Sequence, residues 1–457
     1  MNTTADKLQG ILDSKAAIKA AIEAKGVSVG DATLAQYASK IGDISGGGEE
    51  DYSDDVIFID YDGKVLHRYT AEEFLALDAM PANPTHSGLT SQGWNWTLAD
   101  AQGYVEECGM LEIGQMYITD DGKTRLHITL DDENYLSPSI SLAANATIDW
   151  GDGSATDMVN VATTLTHTYP AVGDYVITID KFYNIPITPS ASNIQYLRAL
   201  RAVFLGNVNS LGTYFFRYCS GIETITMPNT LASFSSGGIV QYCTSLKALT
   251  IPSSITSLGN YTIQYCANIR IISFPKDAVF GNGNLDGDFS LERLSFPIGE
   301  QDVKNNTMLY GLRRVTMASG VTSVLNNYQI YLSLYDLHLS DNIVSLPQYY
   351  LSRTFSLKDL ALPSELQTIA QRALQECYLT KLTIPSKVTD IGQYAFYNSY
   401  FIVEVHVKPT TPPTAGTGIF QGCSALSVIY VPQGTLSAYQ TASGWSAYAS
   451  YMQEENE

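Results

Sequence analysis

Basic residues are scarce in this sequence of 457 residues, which has 26 Lys and Arg against 46 Asp and Glu. The formal net charge of −20 argues against nucleic acid and against an anionic membrane surface as partners, because both would repel the chain. No apolar run reaches the roughly 18 residues that a membrane-spanning helix needs. The amino terminus lacks a basic segment followed by an apolar one, so we expect no secretory signal and no membrane insertion.

The usual signatures of enzymes and metal sites are also missing. No GxSxG, HExxH or Walker sequence occurs, and the six His lack metal-ligand spacing. We therefore expect a protein that is not an enzyme, with no catalytic residues, no cofactor and no metal. Asp149, Asp152 and Asp174 could hold a cation, and Asn282 begins a segment similar to the start of an EF-hand loop, but turn formation is the expected role of both groups.

Cysteine spacing does not indicate disulfide or redox chemistry, since the six Cys include no Cys-x-x-Cys pair. Cys219, Cys243 and Cys266 instead recur at nearly equal intervals along the chain. We expect them at one structural position of successive coils, as small buried residues of a core. Disulfides and metal ligation are the alternatives.

The most abundant pattern in the chain is a repeat. A short phrase of alternating apolar residues, often ending in Pro, recurs eleven times at nearly constant spacing, and this spacing matches that of the three cysteines. Such periodicity predicts a solenoid, whose stacked units bury together the apolar faces that none could bury alone. The copies end at Gly206, Pro228, Pro252, Pro275, Pro297, Ala318, Ser340, Pro363, Pro385, Lys408 and Pro432.

The rest of the chain divides into predicted segments that precede this solenoid. Residues 1–44 are predicted as two short amphipathic helices for anchoring or association, and residues 45–52 as a Gly-rich linker. Residues 53–125 are predicted as a small α+β domain and residues 126–182 as a small β-sandwich. The solenoid itself is predicted for residues 195–451.

Local patterns support this division. Thr70 and Glu73 form a predicted capping box, Thr97 is a predicted N-cap, and Asp-Gly turns at 61–64 and 120–123 predict two β-hairpins. The apolar stripe of the N-terminal helices is the predicted assembly surface, and a helical cap on the next domain is the alternative. The stripe consists of Leu8, Ile11, Ile18, Ile22, Leu34, Tyr37 and Ile41.

Two parts of the chain resemble known domain families. Residues 148–154 together with 166–178 resemble the PKD domain, which implies an immunoglobulin-like sandwich that acts as a spacer or adhesion module. Residues 258–266 and 391–399 resemble the BspA-type leucine-rich repeat, and residues 431–445 are similar to the terminal cap of that family.

The N-terminal part resembles virion proteins. Residues 17–41 are similar to the start of tail-associated and other virion proteins of bacteriophages. Residues 59–124 resemble a segment of phage and prophage proteins of gut bacteria. This resemblance implies a structural protein of a phage particle.

Polar positions of the repeat carry the candidate binding surface. Tyr, Asn, Gln and Arg recur there, while the neighbouring positions stay apolar. Stacked coils would align them into one stripe, where Tyr supplies contact area and amides supply adaptable hydrogen bonds, a combination that also suits sugars. The alternative is that the rings only cover the solenoid edge. The predicted ligand-binding residues are Tyr214, Tyr218, Tyr242, Tyr261, Tyr265, Tyr349, Tyr394 and Tyr397.

Together these features predict a multidomain α+β protein with N-terminal helices, a small α+β domain, an immunoglobulin-like (PKD) β-sandwich and a C-terminal leucine-rich-repeat solenoid. The predicted function is that of a bacteriophage virion structural protein, a tail or head appendage that binds host surface glycan or protein through the repeat face. Other virion proteins would bind its N-terminus, copies of the chain would form a trimer, and residues 53–182 would form a neck. The alternative is a BspA-like bacterial surface adhesin for host matrix or other cells, against which the missing signal counts. A cytoplasmic scaffold has no positive support.

Overall fold

The computed structural model describes the greater part of the chain, and residues Asp54–Glu457 form one compact unit. The predicted N-terminal helices, their assembly residues and the Gly-rich linker lie outside the described residues. The described residues are 53–131, 137, 139–142, 144–181, 198–234, 237–281, 283–288, 290–296, 301–303, 311–324 and 333–455.

The N-terminal module, residues 54–119, is a four-stranded sheet with two helices. Its elements are Val56–Ile59 (β1), Val65–Tyr69 (β2), Ala71–Leu75 (α1), Leu89–Trp94 (β3), Leu98–Cys108 (α2) and Leu111–Thr119 (β4). The strand order is β2-β1-β4-β3, with β1 parallel to β4. The predicted capping box of Thr70 and Glu73 is confirmed, as is the N-cap at Thr97, whose Oγ1 accepts the Asp100 N–H at 3.2 Å.

Seven strands follow the module. They are Thr124–Leu130 (β5), Ser139–Leu142 (β6), Ala146–Asp149 (β7), Asp157–Val159 (β8), Thr163–Thr166 (β9), Gly173–Ile179 (β10) and Leu200–Phe204 (β11). Strand β6 pairs with β9, and the others lie in one sheet in the order β11-β5-β10-β7-β8. The two halves of the PKD-like motif meet here, because the His167 ring stacks on Trp150 at 4.7 Å and its Nε2 lies 2.7 Å from the Asp152 carboxylate.

Only one of the two predicted hairpins forms. Strands β1 and β2 pair antiparallel around the turn at 61–64. The hairpin predicted at 120–123 is wrong, because β4 pairs with β1 and β3 whereas β5 pairs with β10 and β11. Both edges of β4 are already occupied, so β5 cannot add to it. The turn therefore leads the chain from the sheet of the N-terminal module into the sheet that begins the solenoid.

The solenoid is confirmed, with parallel strands that recur along one side, called here the strand side. After β11 these are Thr224–Thr226 (β13), Ala248–Thr250 (β16), Ile271–Ser273 (β18), Arg293–Phe296 (β19), Arg314–Met317 (β21), Asp336–His338 (β23), Lys381–Ile384 (β26), Glu404–Val407 (β28) and Val428–Val431 (β30). A single apolar core runs from Leu126 in β5 to Met452 near the end of the chain. The β-rich segment and the solenoid therefore share one core.

Shorter strands complete the coils. They are Ser210–Leu211 (β12), Ser233–Phe234 (β14), Val240–Gln241 (β15), Ile263–Gln264 (β17), Gln301–Val303 (β20), Val321–Val324 (β22), Ser345–Leu346 (β24), Thr368–Ile369 (β25), Asp390–Ile391 (β27) and Thr414–Ala415 (β29). The C-terminal cap consists of Leu436–Thr441 (α3), a 3-10 helix at Ser446–Tyr451 and Met452–Glu454 (β31), which pairs with β30.

Cys219, Cys243 and Cys266 form a column inside successive coils. All six cysteines of the chain are buried and free, which confirms the prediction for these three. The thiol suits this place because it can donate to the neighbouring coil, as Cys243 Sγ does to the Phe216 carbonyl at 3.0 Å. Asp288, one repeat after Cys266 in the sequence, takes the same place in the next coil.

The N-terminal module packs side-on against the strand side of the solenoid. The Asn95 amide donates to the Ile251 carbonyl at 3.0 Å and to Ser273 Oγ at 2.9 Å. A side chain at Gly114 in β4 would overlap Thr250 in β16, so the two backbones approach closely. This arrangement contradicts the predicted neck for residues 54–119, because the module lies along the solenoid and does not extend it.

Buried polar contacts fix this packing. Glu112 of β4 pairs with Arg293 of β19 at 2.8 Å, and their side chains are only 2% and 1% exposed. Further along, Arg314 of β21 pairs with Asp55 at 2.9 Å. The module thus covers the strand side from β13 to β21, a surface called here the covered strand face. Many of its residues are small and let the module approach: Thr226, Ala248, Thr250, Ser273, Ser295 and Thr316.

Candidate functional site

The candidate site lies on a different side of the coils, where the backbone bends twice per coil. Each bend residue has a positive φ, and at the non-glycine positions φ lies between 54° and 66°. The first bend position is occupied in successive described coils by Tyr214, Gly238, Tyr261, Gly283, Tyr349, Arg372, Tyr394 and Gly418. The second bend position, further along each coil, is occupied by Tyr218, Tyr242, Tyr265, Gly287, Arg353, Glu376, Asn398 and Gly422. These two rows, with the residues between them in each coil, are called the bend edge.

Hydrogen bonds between coils hold this strained backbone. The N–H groups of Phe216 and Tyr218 donate to Ile239 and Gln241 carbonyls, both at 2.8 Å. A left-handed non-glycine residue costs on the order of 1–2 kcal/mol. The coil-to-coil bonds offset this cost, because the bend lets each coil satisfy its backbone on the next one. The bend edge is therefore a rigid scaffold for whatever side chains it carries.

Glycines make room for the tyrosine rings. A Cβ added at Gly238 would overlap the ring of Tyr214 in the preceding coil, and one at Gly283 would overlap the ring of Tyr261. Gly287 is related to Tyr265 in the same way. Each of these rings therefore lies against the glycine backbone of the next coil and is held in place by it.

The second bend position carries a stack of three rings. Tyr218 and Tyr242 have centroids 4.7 Å apart with an interplanar angle of 17°, and Tyr242 and Tyr265 lie 4.8 Å apart at 11°. Burial raises the pKa of Tyr242, and its tyrosine neighbours add to this. The phenol consequently stays neutral at physiological pH and keeps its hydroxyl as a donor.

Four of the predicted tyrosines line one cleft of about 630 Å³, the tyrosine cleft. Three of them are exposed, with Tyr214 at 46%, Tyr261 at 48% and Tyr265 at 37%. The lining consists of Tyr214, Arg217, Gly237, Gly238, Gln241, Tyr242, Gly259, Asn260, Tyr261, Gln264 and Tyr265, while Tyr218 stacks behind it. The lining offers flat aromatic faces, one guanidinium and no carboxylate.

The amides on the floor of the cleft bond mainly to their own neighbours. Gln241 Nε2 donates to the Tyr261 carbonyl and to Gln264 Oε1, both at 3.0 Å. Gln264 Nε2 in turn lies 3.4 Å from Asp286 Oδ2. These amides brace successive coils and so position the tyrosines.

The remaining three predicted tyrosines gather around a second arginine. The guanidinium of Arg372 lies 5.9 Å from the ring centroid of Tyr349, 5.3 Å from that of Tyr394 and 5.8 Å from that of Tyr397. All three rings are half-buried. This group repeats the chemistry of the tyrosine cleft further along the same edge.

The sequence analysis did not predict two features of the site, namely its arginines and the glycines that support the rings. Arg217 and Arg372 belong to the polar repeat positions but were not among the predicted ligand contacts, and the glycines that support the rings were not considered. Their signature in the sequence is periodic: Gly238 and Gly283 stand where neighbouring coils have Tyr214 and Tyr261. A glycine alternating with tyrosine at one repeat position indicates a ring that packs on the next coil.

The Asp-rich turns have the structural role that the sequence favoured. Asp149 accepts the Gly151 N–H at 2.9 Å and Asp152 accepts the Ser154 N–H at 3.0 Å, which confirms these two turns. Asp174 instead lies in β10, where it accepts from Thr129 Oγ1 at 2.6 Å, and Asn282 lies outside the described residues. Among the described residues no group of three or more His, Cys, Asp or Glu could hold a metal ion. Within the same part of the chain, no helix combines the length and apolarity needed to cross a membrane.

The repeats identify the family. The model of the BspA type leucine rich repeat region matches residues 195–312 and 322–442 in six copies, just over half of the chain. The chain therefore belongs to the BspA-type leucine-rich repeat family. No curated protein matches it.

Solved structures show distant likeness. A leucine-rich repeat protein from Bacteroides ovatus is 16% identical, with 58% of this chain and 61% of that chain covered and a TM-score of 0.31. A leucine rich cell surface protein from Faecalibacterium prausnitzii is 16% identical, with coverages of 52% and 80% and a TM-score of 0.24. The pneumococcal vaccine antigen PcpA is 12% identical, with coverages of 55% and 76% and a TM-score of 0.28. The match spans less than two thirds of the Bacteroides ovatus chain.

Proposed function

We propose that this protein is a non-enzymatic adhesin, displayed on a bacterial surface, that attaches to glycan or protein of host matrix or of other cells through its bend edge. The observation that carries this proposal is the tyrosine cleft, in which exposed rings are held flat by a rigid backbone. Tyrosine gives large contact area with few rotatable bonds, so a preformed tyrosine surface binds at low entropic cost.

The backbone conformation supports a role for these rings outside folding. Gly, and to a lesser degree Asn, adopts a positive φ at lower cost than Tyr. Gly238 and Gly283 show that the coils accept glycine at the first bend position, and Asn398 shows that they accept asparagine at the second. Folding alone therefore does not require tyrosine at Tyr214 or Tyr261, whereas a recognition surface does.

The position of the N-terminal module also favours the bend edge as the binding surface. The covered strand face from β13 to β21 is closed to any partner by the module itself. The tyrosine cleft belongs to the same coils but opens on another side. A partner that approaches these coils meets the tyrosines and not the strands.

Family membership favours a bacterial surface protein over a virion appendage. The virion hypothesis depends on the resemblance of residues 17–41 and 59–124 to phage proteins, and no comparison supports it. For a surface protein and for a virion appendage alike, we propose that the chain forms a trimer through the apolar stripe between Leu8 and Ile41. Antibody labelling of intact producer cells, set beside labelling of phage particles from the same culture, distinguishes the two locations.

Cell binding by the purified full chain tests the proposal. In the double variant Tyr261→Asn with Tyr265→Asn, asparagine tolerates the positive φ while the aromatic faces are removed. Binding to cultured epithelial cells and to their deposited matrix should fall at least about tenfold, as expected for two contact residues. The matched control is Tyr335→Asn, a tyrosine of 48% exposure outside the cleft, which should bind as the native chain does. Equal binding by the double variant and the native chain would refute the proposal.

A further inference from the structure

Two arginines of the bend edge have no carboxylate partner among the described residues, in a chain where acids outnumber bases by 46 to 26. Other arginines of the coils are neutralised: Arg270, Arg293 and, on the bend edge itself, Arg353 each pair with a glutamate. Arg217 and Arg372 are instead surrounded by tyrosine rings. The contrast indicates that these two charges are not needed to balance acids of the chain itself.

Arg217 is held in a fixed orientation at the wall of the tyrosine cleft. Its guanidinium lies 4.7 Å from the ring centroids of both Tyr214 and Tyr218, and its Nη2 donates to the Tyr218 hydroxyl at 3.1 Å. Its Nε is buried and has no hydrogen-bond partner in the part of the chain that the structure describes. Aromatic faces attract a cation without neutralising it, so the guanidinium keeps its full charge and its capacity to pair with an anion.

The lining of the cleft carries one positive formal charge, that of Arg217, although the chain as a whole carries a net charge of −20. None of the residues that line it is Asp or Glu. The carboxylate of Asp286 lies 3.4 Å from the amide of Gln264 but is not part of the lining. An anionic group that enters the cleft therefore meets a guanidinium and hydroxyls without an opposing carboxylate in the lining.

We propose that the tyrosine cleft binds an acidic saccharide, with the carboxylate of a sugar residue paired to Arg217 and the apolar faces of pyranose rings packed on Tyr261 and Tyr265. This inference rests on the proposed function and specifies its ligand class. The guanidinium supplies directed donors for a carboxylate, and the exposed rings supply flat apolar surface. Arg372, which also lies among tyrosine rings on the bend edge, supplies a second cation, as a polymer with repeated carboxylates would require.

A saccharide fits this cleft better than an acidic peptide. Peptides commonly bind a solenoid or sheet by adding a strand to free backbone groups. Here the N–H groups of Tyr214, Phe216 and Tyr218 already donate to the next coil, so these backbone groups are not open to a strand. What remains for recognition is ring surface, hydroxyls and one fixed cation.

Titration calorimetry on the full native chain tests the ligand class directly. The probes are oligomers of galacturonic acid, hyaluronan and polysialic acid, each compared with its carboxyl-reduced, neutral form. We expect at least one acidic oligomer to bind and its neutral form to bind about ten- to a hundredfold more weakly, the loss expected for a charge-assisted hydrogen bond. The comparison of an acidic oligomer with its neutral form uses only the native chain, so its result is valid even if a variant fails to fold.

Variants of Arg217 then test whether this side chain causes the preference for the acidic oligomer. Arg217→Gln should weaken binding of the acidic oligomer by a similar factor and leave the neutral form unaffected, while Arg217→Lys should recover only part of the loss. The control is Arg313→Gln, whose side chain is 58% exposed and lies outside the cleft lining, and which should bind normally. Thermal melts verify that each variant is folded.

The outcomes separate this inference from the proposed function. Equal affinity for acidic and neutral oligomers, or no binding of any of the three acidic oligomers, would overturn the assignment of ligand class. In that event a continued loss of cell binding in Tyr261→Asn with Tyr265→Asn would leave the adhesin proposal intact. If that double variant binds cells normally, both proposals fail.

Discussion

The buried carboxyl group of Asp288 makes the stability of the solenoid depend on pH. Asp288 stands in the column that Cys219, Cys243 and Cys266 occupy in the preceding coils. Its Oδ1 accepts the Cys266 N–H at 2.6 Å, and its Oδ2 is buried with no hydrogen-bond partner among the described residues. Burial raises the pKa of Asp288 to about 8, and the charge of Asp286 adds to this.

The sign of the effect follows from proton binding. In the unfolded chain an aspartate has a pKa of about 3.9. Between that value and about pH 8 the folded protein holds a proton on Asp288 that the unfolded chain has released. The contribution of this group to stability is therefore greatest below about pH 4 and falls as the pH rises, by up to about 1.4 kcal/mol per pH unit. Above about pH 8 the loss is complete.

Urea denaturation of the native chain and of Asp288→Asn between pH 5 and pH 8.5 measures this effect. The amide keeps the shape of the side chain and cannot ionise, so it removes the titration alone. We expect the stability of the variant relative to the native chain to increase by about 3.5 kcal/mol from pH 5 to pH 8. Asp288→Cys, which restores the residue type of the column, should behave in the same way. Denaturation midpoints that shift in parallel with pH for all three proteins would refute the reasoning.

Three further predictions concern a glycine contact, the buried ion pair and the buried cysteines. Gly283→Ala should lower the free energy of unfolding by at least about 1–2 kcal/mol, because its φ is +68° and the new Cβ overlaps the Tyr261 ring; urea denaturation measures the loss. Glu112→Gln should cost about 3–5 kcal/mol by removing the carboxylate that neutralises the buried charge of Arg293, whereas Asp100→Asn, which breaks an exposed pair, should cost under about 1 kcal/mol in the same assay. A thiol reagent should modify none of the six cysteines in the native protein and all six in urea, since burial excludes the reagent and raises the thiol pKa.

The repeat spacing was sufficient to predict the coils and the positions of several residues within them. Its nearly constant interval placed Cys219, Cys243 and Cys266 in one column. The same interval placed Tyr218, Tyr242 and Tyr265 on one edge, where they stack. Periodicity works here because each coil adds nearly the same translation, so equal sequence offset means equal position.

The local backbone at the tyrosines could not be predicted in the same way. A positive φ at Tyr261 or Arg372 contradicts the intrinsic preference of the residue. It is imposed by hydrogen bonds to the next coil, a full repeat away in the sequence, such as that of Tyr218 N–H to the Gln241 carbonyl. The sequence of a single coil does not reveal tertiary contacts of this kind. They appear only when glycines such as Gly283 are compared across coils.

The docking of the N-terminal module was missed although the sequence carried a sign of it. Strands of the covered strand face carry residues such as Ala248, Thr250 and Ser273. Uncovered strands carry larger ones, such as His406 and Tyr430, at corresponding places. Small residues at strand positions that would otherwise be exposed indicate that another part of the chain packs closely on them. Which segment approaches depends on long-range pairing, such as that of β5 with β11, and pattern alone does not specify it.

Hydroxyl-radical footprinting of the full chain, free and bound to fixed epithelial cells, tests most directly that the bend edge is the binding surface. We expect that oxidation of Tyr261 and Tyr265 falls on binding, while Tyr335 and Tyr451, which are exposed elsewhere, react as before. Protection of His406 and Tyr430 on the uncovered strands, with Tyr261 and Tyr265 unchanged, would contradict this expectation. Binding would then take place on the strand side beyond the N-terminal module.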